Sequence, residues 1–157
     1  MSLKRLFPQL IINVLQLTMQ IREMTLKELF TVYDVIKQLR DKLSYEEFED
    51  LIYEMRHMEY KMFGILQKEE LICYAGVAVQ TNLAHKRHLF VFDLITDEKY
   101  RFMGYGSMMM EYLYDYAKTA ACEKLVLSSG LQRKKTHRFY EKKGFEKTGY
   151  LFVKDFL

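Results

Sequence analysis

One glycine-containing stretch, residues 101–107 (Arg-Phe-Met-Gly-Tyr-Gly-Ser), constrains the fold of this chain more than any other. It follows an apolar run from His88 to Thr96, which predicts a β-strand, and it leads into helical periodicity from about Gly104 to Ala120. The first N–H groups of a helix lack partners within it, and the helix dipole places partial positive charge there. Glycine lets the backbone approach an anion closely. The stretch therefore predicts an anion-binding loop in an α/β domain.

The spacing of apolar residues along the rest of the chain predicts the other elements. Strands are expected at 17–24, 60–67, 71–80, 88–96 and 124–128, with one or two more within 145–156. Helices are expected at 26–39, 44–57, 104–120 and 132–143. This order predicts a mixed α+β fold, with one sheet covered by helices on both faces. Residues 1–16 form a leader, and 17–157 form a single domain.

Composition limits the function classes. The 157 residues are 50% hydrophobic, which is ample for the core of one domain. A net charge of +3 does not give the concentrated basic footprint typical of nucleic-acid binders, so we expect no nucleic-acid partner. Cys73 and Cys122 are far apart and not at a metal-binding or redox spacing, which predicts buried free thiols in a reducing cytoplasm. No His or Cys cluster predicts a metal site.

The amino-terminal segment has a weak similarity to a targeting signal. Lys4 and Arg5 precede an apolar run from Leu6 to Leu17, but Pro8 and Asn13 interrupt it and no small-residue cleavage site follows. The run is also too short to span a membrane. We therefore expect a soluble cytoplasmic protein without a membrane partner. The apolar leader and the 11 Phe residues are compatible with a homodimer.

Two nucleotide-binding interpretations of the loop are excluded by its residues. A dinucleotide fingerprint requires a third glycine, and Met109 occupies that position. A phosphate-binding loop of the nucleoside triphosphate type requires a Lys before the Ser or Thr, which Gly106-Ser107 lacks. A plain strand-to-helix turn, with glycines for geometry alone, remains an alternative.

A second motif gives the loop a context. The pattern Arg-x-x-Gly-x-Gly after a long strand resembles the acetyl-CoA loop of the GNAT-type N-acetyltransferases. Residues 137–145 (His-Arg-Phe-Tyr-Glu-Lys-Lys-Gly-Phe) resemble that family's late motif, an aromatic-Tyr pair on a helix before Gly-Phe. The order of elements over 17–157 also matches. The resemblance implies a mostly antiparallel sheet of six to seven strands, splayed at the cofactor site and flanked by about four helices.

The resemblance also implies the activity and the residues that carry it. The expected reaction moves an acetyl group from acetyl-CoA to a primary amine of a small molecule or protein by direct attack, with no metal. In the family, Tyr140 matches the usual proton donor to the leaving thiolate, although a core aromatic role is the alternative. The expected cofactor-binding residues are Leu94, Ile95, Thr96, Arg101, Phe102, Met103, Gly104, Tyr105, Gly106, Ser107 and Arg133.

Three departures from the family pattern bear on this assignment, and one of them is Thr136, where the family often has Ala. The residue after Arg101 is most often Gly in the family, and the bulky Phe102 is acceptable only if its φ stays negative and its ring turns away. Arg133 stands where the family often has Asn. The departures, with no clear base, keep open a second hypothesis, a non-catalytic CoA-binding regulatory or interaction module.

Two further features bear on the acceptor. Asp93 interrupts an apolar strand, where a carboxylate is costly unless it is paired or faces a cleft, so it either holds the substrate amine or forms an edge ion pair. Residues 41–59 hold seven acids against Lys42 and Arg56. An acidic wall would favour a cationic acceptor, but a solvated helix face is the favoured interpretation.

Overall fold

The structure is a computed structural model that describes residues 19–157. The predicted leader, 1–16, and the first two residues of the predicted first strand lie outside the described residues. The chain divides into two compact units, one ending at Val126 and one running from Leu127 to Leu157. Each unit is described by itself below.

Five strands form the sheet in the order β1-β2-β3-β4-β5. Their bounds are Met19–Glu23 (β1), Lys61–Gln67 (β2), Glu70–Asn82 (β3), Lys86–Thr96 (β4) and Lys124–Leu127 (β5). The pairs β1–β2, β2–β3 and β3–β4 are antiparallel. Between β3 and β4 the register shifts, because Gly76 pairs with Asp93 but Val77 pairs with Val91. The extra residue, Phe92, forms a bulge, which bends a strand and redirects its side chains.

Four α-helices lie within residues 19–157, at Leu29–Ile36 (α1), Tyr45–Met55 (α2), Tyr105–Thr119 (α3) and Lys134–Lys142 (α4). A capping box precedes each of the first two helices. Ser44 and Glu47 exchange backbone and side-chain hydrogen bonds before α2. Before α1, the carboxylate of Glu28 accepts from the N–H and the hydroxyl of Thr25, at 2.8 and 2.9 Å. These bonds satisfy donors that a helix start otherwise leaves unpaired.

The core lies on both faces of the sheet, as the sequence predicts. Helices α1 and α2 pack on one face through Leu29, Val32, Val35, Ile36, Phe48 and Ile52, against Met62, Leu66, Leu71, Tyr74 and Ile95. Helix α3 covers the other face, where Tyr112 and Tyr116 meet the ring of Phe63 edge-on. Burial of each large apolar side chain contributes roughly 1.5–3 kcal/mol to folding. These contacts hold α1 and α2 on one face of the sheet and α3 on the other.

One predicted element is not formed. Residues 145–157 contain no strand, so the sheet has five strands rather than the expected six or seven. The apolar side chains of this segment are instead exposed, with Phe152 at 91% and Phe156 at 90%. A strand requires a neighbour that accepts its backbone hydrogen bonds, and β-propensity alone does not supply one. The mixed α+β class of the fold is nevertheless as predicted.

The two cysteines differ in environment. Both are free thiols; Cys73 in β3 is fully buried, as predicted, whereas Cys122 is only half-buried. Burial raises the pKa of the Cys73 thiol to about 11. Among residues 19–157, no helix has the length and apolarity needed to cross a membrane.

Candidate functional site

The predicted anion loop joins β4 to α3 as expected. After Thr96 the chain makes a short 3-10 turn at Glu98–Tyr100 and enters α3 at Tyr105. Gly104 is the N-cap, with a left-handed φ of 89°, and a Cβ added there would meet nothing within 4 Å. Conformation, rather than space, thus explains the glycine. The loop leads into the first turn of α3, whose N–H groups have no acceptor within the helix.

Phe102 adopts a conformation that the sequence argument excluded. Its φ is 64°, in the left-handed region, and its side chain is 99% exposed. The condition of a negative φ is therefore wrong, whereas the ring does turn outward. The left-handed region is costly for a residue with a Cβ and natural for glycine. The chain keeps a backbone shape suited to glycine while carrying phenylalanine.

Arg101 ties the loop back to the strand and to a helix. Its Nε donates to the carbonyl of Thr96 at 3.2 Å, and its Nη2 donates to Oε1 of Gln38 at 3.2 Å. Gln38 follows helix α1 and also contacts the chain at Asp97 and Glu98. Sequence reasoning missed Gln38, and no local signal marks it, because its partners lie 59 or more residues away.

The end of β4 supplies the other predicted cofactor residues. The side chain of Ile95 lies in the core, and the Thr96 hydroxyl donates to Sγ of Cys73 at 3.5 Å. Strand β5 has 4 residues and begins beside the start of β4, where the N–H of Glu123 donates to the carbonyl of Arg87. Residues 94–96 form the last part of the 11-residue β4. Within residues 19–157, β3 is the strand that pairs with them.

Asp93 is paired with a cation. Nε and Nη2 of Arg40 donate to Oδ1 of Asp93 at 2.9 and 2.6 Å, and the Asp93 side chain is 15% exposed. Nη2 also donates to the carbonyl of Phe92, the bulged residue, at 3.3 Å. The ion-pair alternative raised for Asp93 thus describes its contact, and Arg40 is a second residue that sequence reasoning missed.

Beside this ion pair lies a buried pair of tyrosine hydroxyls. The Oη atoms of Tyr60 and Tyr74 are 2.7 Å apart, and Tyr74 is fully buried. Burial and the charge of Asp93 raise the pKa of the Tyr60 hydroxyl, and burial raises that of Tyr74 as well. Both hydroxyls therefore keep their protons at neutral pH. A Cβ on Gly76 would lie 1.7 Å from the Tyr60 hydroxyl, so glycine provides the space that this ring occupies.

Two surface cavities border Tyr60. One, of about 420 Å³, is lined by Glu23, Met24, Thr25, Leu26, Ile52, Arg56, Tyr60 and Met62. The other, of about 280 Å³, is lined by Glu23, Glu59, Tyr60, Lys61, Val77, Ala78, Val79 and Tyr116. Both hold acidic and basic side chains. The carboxylates of α2 are exposed or half-buried on its outer face, the arrangement of a solvated helix face.

The second unit carries the remaining predicted site residues. Tyr140 lies in α4, half-buried, with its ring against Phe139 and Phe145 at centroid distances of 5.3 and 5.6 Å. Gly144 follows the helix with a left-handed φ of 85°, which is common for a glycine at a helix C-terminus. Arg133 precedes the first residue of α4. The motif therefore forms a helix, a left-handed turn and a group of aromatic contacts.

Comparison with known proteins assigns the family. The sequence profile of the Acetyltransferase (GNAT) family matches residues 23–145, which is most of the chain. The chain belongs to the GNAT family. The match includes β4, the loop at 101–107 and the helix of Tyr140, so both motifs lie within the GNAT region.

A curated relative and two solved structures support the GNAT assignment. The uncharacterized N-acetyltransferase YhdJ of Bacillus subtilis is 34% identical over 124 residues, covering 78% of this chain and 87% of YhdJ. A crystal structure of a transcriptional regulator from Bacillus halodurans C-125 has a TM-score of 0.79 at 20% identity, covering 88% of this chain and 99% of that one. An aminoglycoside N-acetyltransferase in complex with CoA has a TM-score of 0.77 at 14% identity, covering 87% and 93%. At these identities the two structures establish the GNAT fold alone.

Proposed function

We propose that this GNAT protein transfers an acetyl group from acetyl-CoA directly to a primary amine. The observation that carries the proposal is the loop at 101–107, which enters α3 through a left-handed glycine with no side-chain cap on the first helical turn. A helix start of this kind suits a pyrophosphate. The CoA complex of the structurally similar aminoglycoside N-acetyltransferase supports the choice of CoA as ligand.

Two segments of the first unit would hold the cofactor. The backbone N–H groups of residues 102–107 would bind the pyrophosphate. Arg101 would stabilise the loop through its hydrogen bonds to Thr96 and Gln38. Leu94, Ile95 and Thr96 pair with β3, and the backbone polar groups on their other edge would pair with the amides of the pantetheine arm. Ile95 would contribute only its backbone, because its side chain lies in the core. Arg133, from the second unit, would add charge toward the phosphates.

Acetyl-CoA would supply an activated thioester, and the chain would manage charge and protons around it. A neutral amine nitrogen forms a bond to the acetyl carbon, the C–S bond breaks, and its electron pair goes to sulfur. A backbone N–H of residues 94–96 would stabilise the negative charge that develops on the carbonyl oxygen. The hydroxyl of Tyr140 would donate its proton to the thiolate.

The acceptor amine must lose a proton before or during attack. We propose that Asp93 takes part by holding the amine or relaying that proton, which requires its carboxylate to act while paired with Arg40. Because the acidic side chains of α2 are mostly exposed, cationic amines are the first class of acceptor to test. The homodimer remains a prediction.

The experiment that tests the proposal combines binding and turnover. Acetyl-CoA at about 100 times its Kd should stabilise the protein by about 2.7 kcal/mol, a shift in Tm of roughly 5–10 °C. Thiol release is then measured with a polyamine, a lysine-containing peptide, an aminoglycoside and a neutral primary amine. Release with one of them supports the transferase. Binding without release on any amine would favour the non-catalytic CoA module, and the absence of binding would contradict both.

The role of Tyr140 has its own test. Tyr140→Phe removes the hydroxyl and keeps the ring contacts, so kcat should fall by roughly 100-fold while the Kd for acetyl-CoA stays constant. Tyr150→Phe is the matched control, because Tyr150 is 76% exposed and lies outside the motif. Equal kcat for Tyr140→Phe and the wild type would exclude the acid role.

A further inference from the structure

We propose that Gln38, just beyond the end of helix α1, is a positioning residue that holds the strand-to-loop segment 96–101 in the shape that binds CoA. The inference rests on the proposed function, because it assigns that segment to the cofactor. It concerns a residue from a different part of the chain, in the turn that follows α1.

The amide of Gln38 makes three hydrogen bonds to this segment. Its Oε1 accepts from the backbone N–H of Glu98 at 3.0 Å and from Nη2 of Arg101 at 3.2 Å. Its Nε2 donates to Oδ2 of Asp97 at 3.2 Å. One side chain therefore binds a backbone donor, a cation and an anion within the five residues 97–101.

The chemistry of these contacts explains why the residue is a glutamine. An amide side chain carries both a donor and an acceptor on one planar group, and the segment requires both. A carboxylate at this position could still accept from Glu98 and Arg101, but it would repel Asp97. A thioether of similar length, as in methionine, could serve none of the three partners well.

The backbone of Gln38 is hydrogen-bonded to the end of α1. Its backbone N–H donates to the carbonyl of Val35 at 3.1 Å, so it continues the last turn of α1. Val35 and Ile36 are both 3% exposed and belong to the core cluster. The contacts of Gln38 therefore connect the segment to the buried end of α1 rather than to another loop.

The other contacts of the segment are local or reach β3. Oδ1 of Asp97 accepts from the N–H of Lys99, and Nε of Arg101 donates to the carbonyl of Thr96. Lys99 and Tyr100 contact Glu70, and the N–H of Asp97 donates to the carbonyl of Ile72. These bonds shape the turn and connect it to β3, whereas the contacts of Gln38 connect it to the turn after α1. Loss of the Gln38 contacts should let residues 97–101 sample other positions, and CoA binding would then bear the cost of ordering them.

The test compares Gln38→Met and Gln38→Glu with wild type, and uses Gln20→Met on the exposed face of β1 as the matched control. In the ligand-free protein, hydrogen exchange of the peptide covering 97–101 should rise roughly tenfold in Gln38→Met and stay constant in the control. The Kd for acetyl-CoA should rise by a similar factor, roughly tenfold. Unchanged exchange in β2 and β3 confirms an intact fold. If Gln38→Met does not fold, Gln38→Asn, which retracts the amide, takes its place.

A charge readout separates positioning from general loss of stability. In Gln38→Glu, lowering the pH from 8 to 5 protonates part of the new carboxyl, which can then donate to Asp97. Its Kd should approach that of wild type as the pH falls, whereas the ratio for Gln38→Met should stay constant. A pH-independent ratio for Gln38→Glu would contradict the proposal.

The proposed function and the role of Gln38 can be disproved independently of each other. If wild type does not bind acetyl-CoA, the proposed function fails, and the exchange rates of the ligand-free variants still decide whether Gln38 anchors the segment. If wild type binds but Gln38→Met binds equally well with unchanged exchange, the role of Gln38 is overturned and the proposed function stands.

Discussion

Arg40 binds Asp93 through two hydrogen bonds to a single carboxylate oxygen, at 2.6 and 2.9 Å. The same guanidinium reaches the carbonyl of Phe92, the bulged residue of β4. The turn after α1 therefore contacts β4 at its irregular point. Two residues earlier, Gln38 contacts the loop that follows the strand.

Loss of the Arg40 guanidinium should destabilise the protein. Arg40→Met leaves the Asp93 carboxylate, which is 15% exposed, without its cation. Because Arg40 itself is half exposed, the expected loss is about 1–2 kcal/mol rather than the larger cost of a fully buried pair. Urea unfolding measures it. In Lys37→Met, which breaks an exposed pair with Asp34, the change should stay below about 0.5 kcal/mol. Similar losses in the two variants would contradict the assignment.

Phe102→Gly should stabilise the protein. The left-handed conformation costs a residue with a Cβ roughly 1–2 kcal/mol, and glycine removes that cost while adding roughly 0.5–1 kcal/mol of unfolded-state entropy. The exposed ring contributes no burial, so the expected net gain is about 0.5–1 kcal/mol, measured as a rise in Tm. Phe102→Ala is the control, because it keeps the Cβ and should change Tm little. A lower Tm for the glycine variant would be incompatible with the φ of 64°.

Gly76→Ala should displace Tyr60. The new Cβ would lie 1.7 Å from the Tyr60 hydroxyl, so the ring must move and the buried hydroxyl of Tyr74 loses its partner. We expect a loss of about 2–4 kcal/mol in the free energy of unfolding. Gly149→Ala is the control, since a Cβ there meets nothing within 4 Å. In the double variant with Tyr60→Ala the two losses should not add, and full additivity would argue against this contact.

Acid should weaken the start of α1 through Glu28. The hydrogen bonds from Arg22 and Thr25 lower the pKa of this carboxyl from 4.5 to about 2. Because the folded pKa is lower than the unfolded one, the stabilisation is present above about pH 4.5 and is lost as the pH falls toward 2. Glu28→Gln should therefore flatten this part of the stability–pH curve, measured by urea unfolding at several pH values. Glu47→Gln, at the cap of α2, should flatten it less, because no arginine contacts Glu47 in the described capping box. An unchanged curve for Glu28→Gln would refute the attribution.

Sequence periodicity was sufficient for most of the fold, because it records which face of each element is buried. In the helix that begins at Tyr105 and the strand that ends at Thr96, the spacing of apolar residues matches the period of the element that forms. The expected strand within 145–156 has suitable residues but is not formed. Propensity describes the segment itself, whereas a strand also depends on a neighbour elsewhere in the chain.

The candidate site was predictable where it is local. The glycine loop and the Tyr140 helix are contiguous motifs, and their local shapes follow from their residues. The φ of Phe102 was not predictable, since the surrounding loop overrides the preference of the residue. Gln38 and Arg40 escaped notice because their partners are distant in sequence, and a polar residue after a helix is ordinarily solvated.

The burial of Cys73 has a practical consequence for the assay that would identify the acceptor. This thiol is inaccessible and its pKa is raised to about 11, so at pH 8 a colorimetric thiol reagent should leave it unmodified in the folded protein. The chain has 2 cysteines, and Cys122 is the other one. The protein itself therefore contributes at most one equivalent of thiol per chain to the signal, from the slow reaction of the half-buried Cys122. Any signal above that stoichiometry reports product, and Cys122→Ser would bring the background of the native enzyme close to zero.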